Sequence, residues 1–332
     1  MNALTDLLEG PKARGAFLLR SVFNPPWSLR IEDRAPVSVV TVVRGEAWLM
    51  TAHGTPTHLI PGDVAAIRGP EPYTLADTPD TPEQITVGPE QRCTTSAGAD
   101  VTEQMSLGLR TWGEDIGDGS TVILSGTYQA SLEIGRHLLV SMPELLVQPV
   151  GTGGSDALVA MLTEEIDKED LGQELMLDRL LDLLLVNVLR NWLASGGPES
   201  PAWYRARTDD VVGPALELIH EEPARPWTVA TLAAEVGVSR AGLARRFNTL
   251  VEQPPMAYLT SWRLTLAADL MREPDATVNS VSRKVGYGSA FAFSTAFKRL
   301  YGMSPQEYRT GGADTRPSLP PVTAPYTLVL SQ

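Results

Sequence analysis

The sequence predicts a multidomain α+β protein: an N-terminal β-barrel, a helical segment behind it, and a C-terminal all-α domain with two helix-turn-helix units. Three observations lead there. Short apolar runs punctuated by glycine and proline fill residues 1–150, leucine-rich helical periodicity follows Gly151, and residues 205–310 contain an internal duplication. At 332 residues the chain also exceeds what one hydrophobic core usually supports.

The β part rests on apolar, often β-branched runs at 37–43, 47–51 and 121–124. Turn signals separate them at Arg44-Gly45, Pro61-Gly62-Asp63, Gly69-Pro70 and Gly117-Asp118-Gly119. Such spacing suits a small barrel or sandwich. After Gly151-Thr-Gly-Gly-Ser, Ser155 is the expected N-cap of a helix reaching Lys168, and Gly172 separates it from a second helix over 174–194. Leu177, Leu181, Leu184 and Val188 form an apolar stripe that Leu180, Leu183 and Leu185 widen beyond what one neighbour covers. Either the barrel or a second copy of the chain must bury it; with a second copy, 151–200 is a dimerisation segment ending in a Gly/Pro/Ser linker. Residues 311–332 read as a flexible tail.

The duplication carries the functional argument. Leu243, Phe247, Leu250, Pro255 and Tyr258 recur fifty positions later as Phe293, Phe297, Leu300, Pro305 and Tyr308. Upstream, Thr228, Val229, Val236 and Gly237 recur at an offset of forty-nine as Thr277, Val278, Val285 and Gly286, so the second copy has one extra turn residue. In the first copy Thr228 caps a helix with Val229, Leu232, Ala233 and Val236 on one face. Gly237 ends it, and Ser239 caps a second helix that buries Leu243, Phe247, Leu250 and Val251. This is the helix-turn-helix pattern, whose second helix enters the major groove of duplex DNA.

At about 100° per residue, the face opposite the buried stripe presents Ala241, Arg245, Asn248 and Thr249, with Arg240 and Arg246 on its flanks. Small Ala241 lets the backbone approach the groove, and the Arg245 fork matches guanine O6 and N7. The second copy presents Phe291, Thr295, Lys298 and Arg299 instead, with Ser294 beside them. Phe291 offers apolar contact, Thr295 has no two-donor fork, and the two cations suit phosphates. A solvated helix face would carry similar arginines. A duplicate at constant spacing, joined by a helix over 255–271, favours the DNA reading.

The net charge of −13 hides an asymmetry: residues 1–204 hold 13 basic and 28 acidic side chains, and 205–310 hold 13 and 11. Only the C-terminal part can offer a basic patch. Cys93, the single cysteine, cannot form an internal disulfide, which fits a reduced cytoplasm. Asp6 and Glu9 interrupt any signal-peptide core, and Asp182, Asn187 and Arg190 break the most apolar stretch, so no membrane span is expected.

The stretches LAAEVGVSRAGLARRF (232–247), PPMAYLTSWRLTLAADLM (254–271) and VGYGSAFAFSTAFKRLYGMSPQEYR (285–309) resemble the DNA-binding domain of the AraC/XylS family. PPWSLRI (25–31), VVRGEAWL (42–49), LIPGDVAAI (59–67) and LDRLLDLLLVNVLRNW (177–192) are similar to that family's cupin-type sensor and helical dimerisation segments. The resemblance implies a ligand-responsive transcription regulator, more often an activator than a repressor. Its implied partners are promoter DNA, a second copy, a small-molecule effector and RNA polymerase. Relatives commonly have arginine where this chain has Thr295 and a small polar residue where it has Phe291, which implies weaker base reading by the second helix.

The rival reading is a metal-dependent cupin enzyme fused to a DNA-binding domain. Such sites need two or three histidines and a carboxylate. No histidine lies near 37–45, and Pro70-Glu71-Pro72-Tyr73 stands where another is often placed. Of His53, His58, His137 and His220, the first two flank Gly54 and Pro56 in what reads as a solvated hairpin tip. The glycine cluster at 151–154 lacks the lysine of a phosphate loop. Neither a metal, a cofactor nor an enzymatic activity is expected. Trp27, Trp48 and Tyr73 are the candidates to line a ligand pocket, and Cys93, beside Arg92, is a candidate thiol sensor.

Overall fold

The computed structural model describes residues 11–12, 18–108, 110–130, 139, 141–196 and 200–310. They group into two compact units, of which one comprises 11–131 with 142–197. Its strands are β1 (Pro11–Lys12), β2 (Leu18–Phe23), β3 (Ser28–Ile31), β4 (Val37–Arg44), β5 (Ala47–Thr51), β6 (Thr57–Leu59) and β7 (Val64–Arg68). They continue with β8 (Tyr73–Ala76), β9 (Ile85–Val87), β10 (Cys93–Thr95), β11 (Thr111–Gly113), β12 (Thr121–Ala130) and β13 (Leu145–Gln148).

Two sheets result, one in the order β11-β2-β12-β4-β7-β13 with β1 on β12, the other β10-β9-β3-β8-β5-β6. Pairing is antiparallel except for β11 on β2 and β3 on β9. The core lies between the sheets, with Phe23, Val40, Val42 and Ile123 from one and Leu29, Leu49, Leu59 and Leu75 from the other. β4 reads VSVVTVVR without alternation because both its faces are covered, one by this core and the other by a helix.

That helix is α1 (Ser155–Glu165), and α2 (Gln173–Ala194) packs beside it. Gly154 in left-handed conformation is the N-cap of α1, so Ser155 is the first helical residue and not the cap expected of it. Its hydroxyl donates to Asn187 Oδ1 of α2 at 3.3 Å instead. The helix ends three residues before Lys168, which pairs with Glu165 at 2.8 Å.

The leucine stripe of α2 is buried within the chain: Leu177, Leu180, Leu181, Leu184, Leu185 and Val188 are all covered, with α1, β7 and β13 among the neighbours. Gly126 of β12 makes room for this, since a Cβ there would lie 2.7 Å from Leu181. Tyr128 then donates its hydroxyl to the Leu181 carbonyl at 2.6 Å. Leu183 departs from expectation by pointing outward at 54% exposure, as do Leu175 and Met176. On a helix these three share one face.

The other unit is helical: α3 (Ala202–Arg205), α4 (Val212–Glu221), α5 (Val229–Glu235), α6 (Arg240–Val251), α7 (Pro255–Leu270), α8 (Val278–Lys284), α9 (Ala290–Tyr301) and α10 (Pro305–Thr310). α7 serves two cores at once, which is why it is apolar on nearly every side. Phe247 of α6 meets its Tyr258 edge-on at 5.9 Å. Its Leu264, Ala267 and Ala268, with Met271 just past its end, pack with Val281, Phe293, Phe297 and Tyr308. α4 was not anticipated. Its local signal is Asp209, whose carboxylate accepts from the Val211 and Val212 amides at 3.0 and 2.9 Å.

Candidate nucleic-acid interface

Each repeat is built from its caps upward. Thr228 and Thr277 close reciprocal capping boxes with Thr231 and Ser280, which starts α5 and α8. Gly237 (φ 73°) and Gly286 (φ 84°) take the left-handed conformation that ends these helices. At Gly286 a side chain is also excluded by space, because a Cβ would meet the Ala224 carbonyl oxygen at 2.6 Å. Ser239 and Ser289 then accept from Gly242 and Ala292 at 3.0 and 3.2 Å and start α6 and α9. The turns span 236–239 and 285–289, the one-residue difference expected from the offsets.

On α6, Leu243, Phe247 and Val251 are buried; Leu250 of this helix and Val236 of the turn before it, expected inside, are only half-buried. Ser239, Arg240, Ala241, Arg245, Asn248 and Thr249 are exposed together. Two neighbours on this helix differ sharply. Arg246 is held by Asp209 at 2.7 Å, whereas among the described residues Arg245 makes no ion pair. Thr249 donates to the Arg245 carbonyl at 3.0 Å, so its hydroxyl proton is turned to the helix and not outward.

On α9, Phe291 stands 83% exposed. Thr295, Lys298 and Arg299 share the exposed side, and Ser294 is half-buried. Thr295, like Thr249, gives its proton to a carbonyl one turn back, that of Phe291 at 3.0 Å. Sequence reasoning passed over Arg283, exposed in the last turn of α8 beside Lys284, where α5 ends in Ala234-Glu235. The first repeat therefore concentrates a free guanidinium on its second helix, and the second repeat carries more backbone-directed charge.

His220 of α4 lies behind this surface, 2.6 Å from the Tyr258 hydroxyl and packed on Trp262. Burial, with the Arg207 charge in support, lowers its pKa to about 4, so the ring is neutral at physiological pH.

The β unit carries a partly open cavity of ≈ 560 Å³ whose apolar wall includes Leu29, Ile31, Leu75, Val87, Trp112 and Ile123. Of the three aromatic candidates only Tyr73 lines it. Trp27 is core, stacked on Phe23 at 5.2 Å. Trp48 lies on the opposite face of its strand and stacks on His58 at 4.8 Å. Trp112, not anticipated, replaces them at the wall and donates its indole N–H to the Thr102 carbonyl at 3.0 Å.

Cys93 also faces the cavity and is buried, contrary to the exposure a thiol sensor needs. Burial, then the Asp100 carboxylate, push its pKa up to about 11, which keeps the thiol protonated at neutral pH. His58 belongs to β6 and bonds Glu46 at 2.9 Å, so only His53 occupies a turn. His137 lies outside the described residues. Among the described residues no three His, Cys, Asp or Glu side chains converge as a metal site, and no helix is long and apolar enough to cross a membrane.

Comparison with known proteins agrees with this division. A family model described as Cupin matches residues 2–194, and one described as Helix-turn-helix domain matches 232–311. An AraC-like transcription regulator of Streptomyces lividans is 33% identical over 313 residues, covering 93% of this chain and 98% of that protein. A second, from Streptomyces antibioticus, is 31% identical with the same coverage. The HTH-type transcriptional regulator AlkR of Acinetobacter baylyi is 33% identical over 54% of this chain and 60% of its own length.

Proposed function

The chain belongs to the AraC family of DNA-binding transcription regulators, and on that premise we propose that it reads a specific duplex sequence chiefly through α6, in response to a small organic effector. The observation that carries this reading is the unpaired, exposed Arg245 at the centre of the α6 face. A guanidinium free of protein partners brings its full fork to a guanine edge. Phe291 gives α9 an apolar contact with a thymine methyl, and Lys298, Arg299 and Arg283 bind phosphates. Its relatives are transcription regulators, not enzymes.

The effector reading rests on the cavity, whose volume falls in the range of small-molecule sites. The dimer reading rests on the outward face of α2, where Leu175, Met176 and Leu183 are 61, 47 and 54% exposed. A second copy covering them would place two DNA-binding domains on two half-sites and raise affinity through effective concentration. Activation, acting through RNA polymerase, is the sign that the family resemblance implies.

Selection of bound duplexes from a random library, followed by titration of the winner against random DNA, tests the central statement. The selected duplex should bind at least about a thousandfold more tightly. Equal affinity for both would refute sequence-specific reading. Light scattering of the full chain tests the dimer: twice the 35.9 kDa chain mass is expected, and a monomer at tens of micromolar would refute it.

A further inference from the structure

We propose that the cavity of the β unit takes a lipophilic organic cation, an apolar skeleton with one protonated amine, in preference to a carboxylate on the same skeleton. This rests on the effector reading above and adds the chemical class. The wall is largely aliphatic and aromatic, and among the described residues its charged members are both acidic, the half-buried Asp33 and the exposed Glu103, with no lysine, arginine or histidine lining it.

The absence of basic groups at the wall follows from strand geometry. Leu19 and Ser21 of β2 face the cavity, so Arg20 between them faces the other way and pairs with Asp167. Leu29 and Ile31 of β3 do the same for Arg30, which is held by Glu32 and by Glu83 at 2.9 Å. Arg92, next to Cys93, is engaged by Asp100 at 2.9 Å. Arg110, next to Thr111, lies close enough to Asp178 of α2 to favour its charged form. Arg20, Arg30 and Arg92, each next to a lining residue, are thus paired with carboxylates.

The acidic groups keep free acceptor capacity. One oxygen of Asp33 accepts from the Ala35 amide at 3.0 Å, and the other takes no hydrogen bond from any described residue. A ligand carboxylate would be desolvated without a counter-charge, which costs heavily in an apolar site. An ammonium group would meet the carboxylates and the rings of Tyr73 and Trp112, and its apolar body would cover the aliphatic wall.

The test uses the full chain at pH 7.5 with phenylpropyl, naphthylmethyl and octyl skeletons, each as primary amine, alcohol and carboxylate, followed by calorimetry. Amines should bind more tightly than the matching carboxylates by about tenfold or more, with alcohols between. The Asp33→Asn/Glu103→Gln variant should retain alcohol binding, which shows that its cavity is intact, and bring amines and carboxylates within about threefold. Ser125→Trp, which fills the cavity from β12, should abolish all binding. Carboxylates that bind as tightly as amines, or an amine preference that survives the double variant, overturn the proposed class and leave the effector cavity standing. If no compound of any charge binds, or binding survives Ser125→Trp, the effector cavity falls too.

Discussion

Replacing Arg245 by alanine separates base reading from charge more cleanly than any other change, because its neighbour Arg246 serves as an internal control. Arg245 is exposed and makes no ion pair among the described residues, and alanine is a better helix former, so stability should change by less than about 0.5 kcal/mol. On cognate DNA the loss of a two-donor contact should cost about 1–3 kcal/mol, roughly 5- to 150-fold in Kd. The selected motif should relax at one base pair. Arg246→Ala instead removes the 2.7 Å bridge to Asp209, in which the two side chains are 47% and 16% exposed. That should cost at most about 1 kcal/mol of stability and leave the selected motif as it was. The assay is a binding-site selection on both variants, with urea unfolding alongside. An unchanged motif for Arg245→Ala together with an altered motif for Arg246→Ala would refute the assignment of roles.

Lys298→Ala should weaken binding to all sequences alike and reduce the slope of log K against log salt by about one unit, read by anisotropy at several salt concentrations. His220, with its folded pKa lowered from 6.5 to about 4, contributes stability that is whole above pH 6.5 and is lost as pH falls toward 4. His220→Gln should therefore flatten the pH dependence of the unfolding free energy from urea melts, by roughly 2 kcal/mol between pH 7 and pH 4.5; an unchanged dependence would show that the ring titrates normally. Cys93, protonated until pH nears 11, should resist iodoacetamide at pH 7.5 in the folded protein and react readily in urea. Rapid labelling of the native chain would restore a sensing role.

The helix-turn-helix units were legible from local chemistry alone. Capping threonines and serines, a left-handed glycine and a buried stripe are each set by residues within a few positions, and the duplication supplied them twice. The cavity was less legible, because the face a strand residue occupies follows from pairing. Trp48 sits between Ala47 and Leu49, both fully buried, so strict alternation sends it outward; Tyr73 and Leu75 share the inner face. That parity was the available signal. Trp112 gave none, since its three-residue strand is held by a parallel pairing with β2 that no short-range pattern encodes. Periodicity placed the leucines of α2 on one stripe but could not name what covers them. Tyr128 and Gly126, fifty residues upstream, decided that.

Unlike reading helices on one scaffold give each bound domain a head and a tail. A site contacted by Arg245 at one end and by Phe291 at the other has no twofold symmetry of its own. Turning the domain around would set the guanidinium against methyl groups and the phenyl ring against guanine. On the proposed reading, each half-site is then an arrow along the duplex, and the order of its bases specifies not only where one domain sits but which way it faces. Inverting a single half-site in place, with its distance to the transcription start held constant, is expected to alter regulation without altering the affinity of one domain for it.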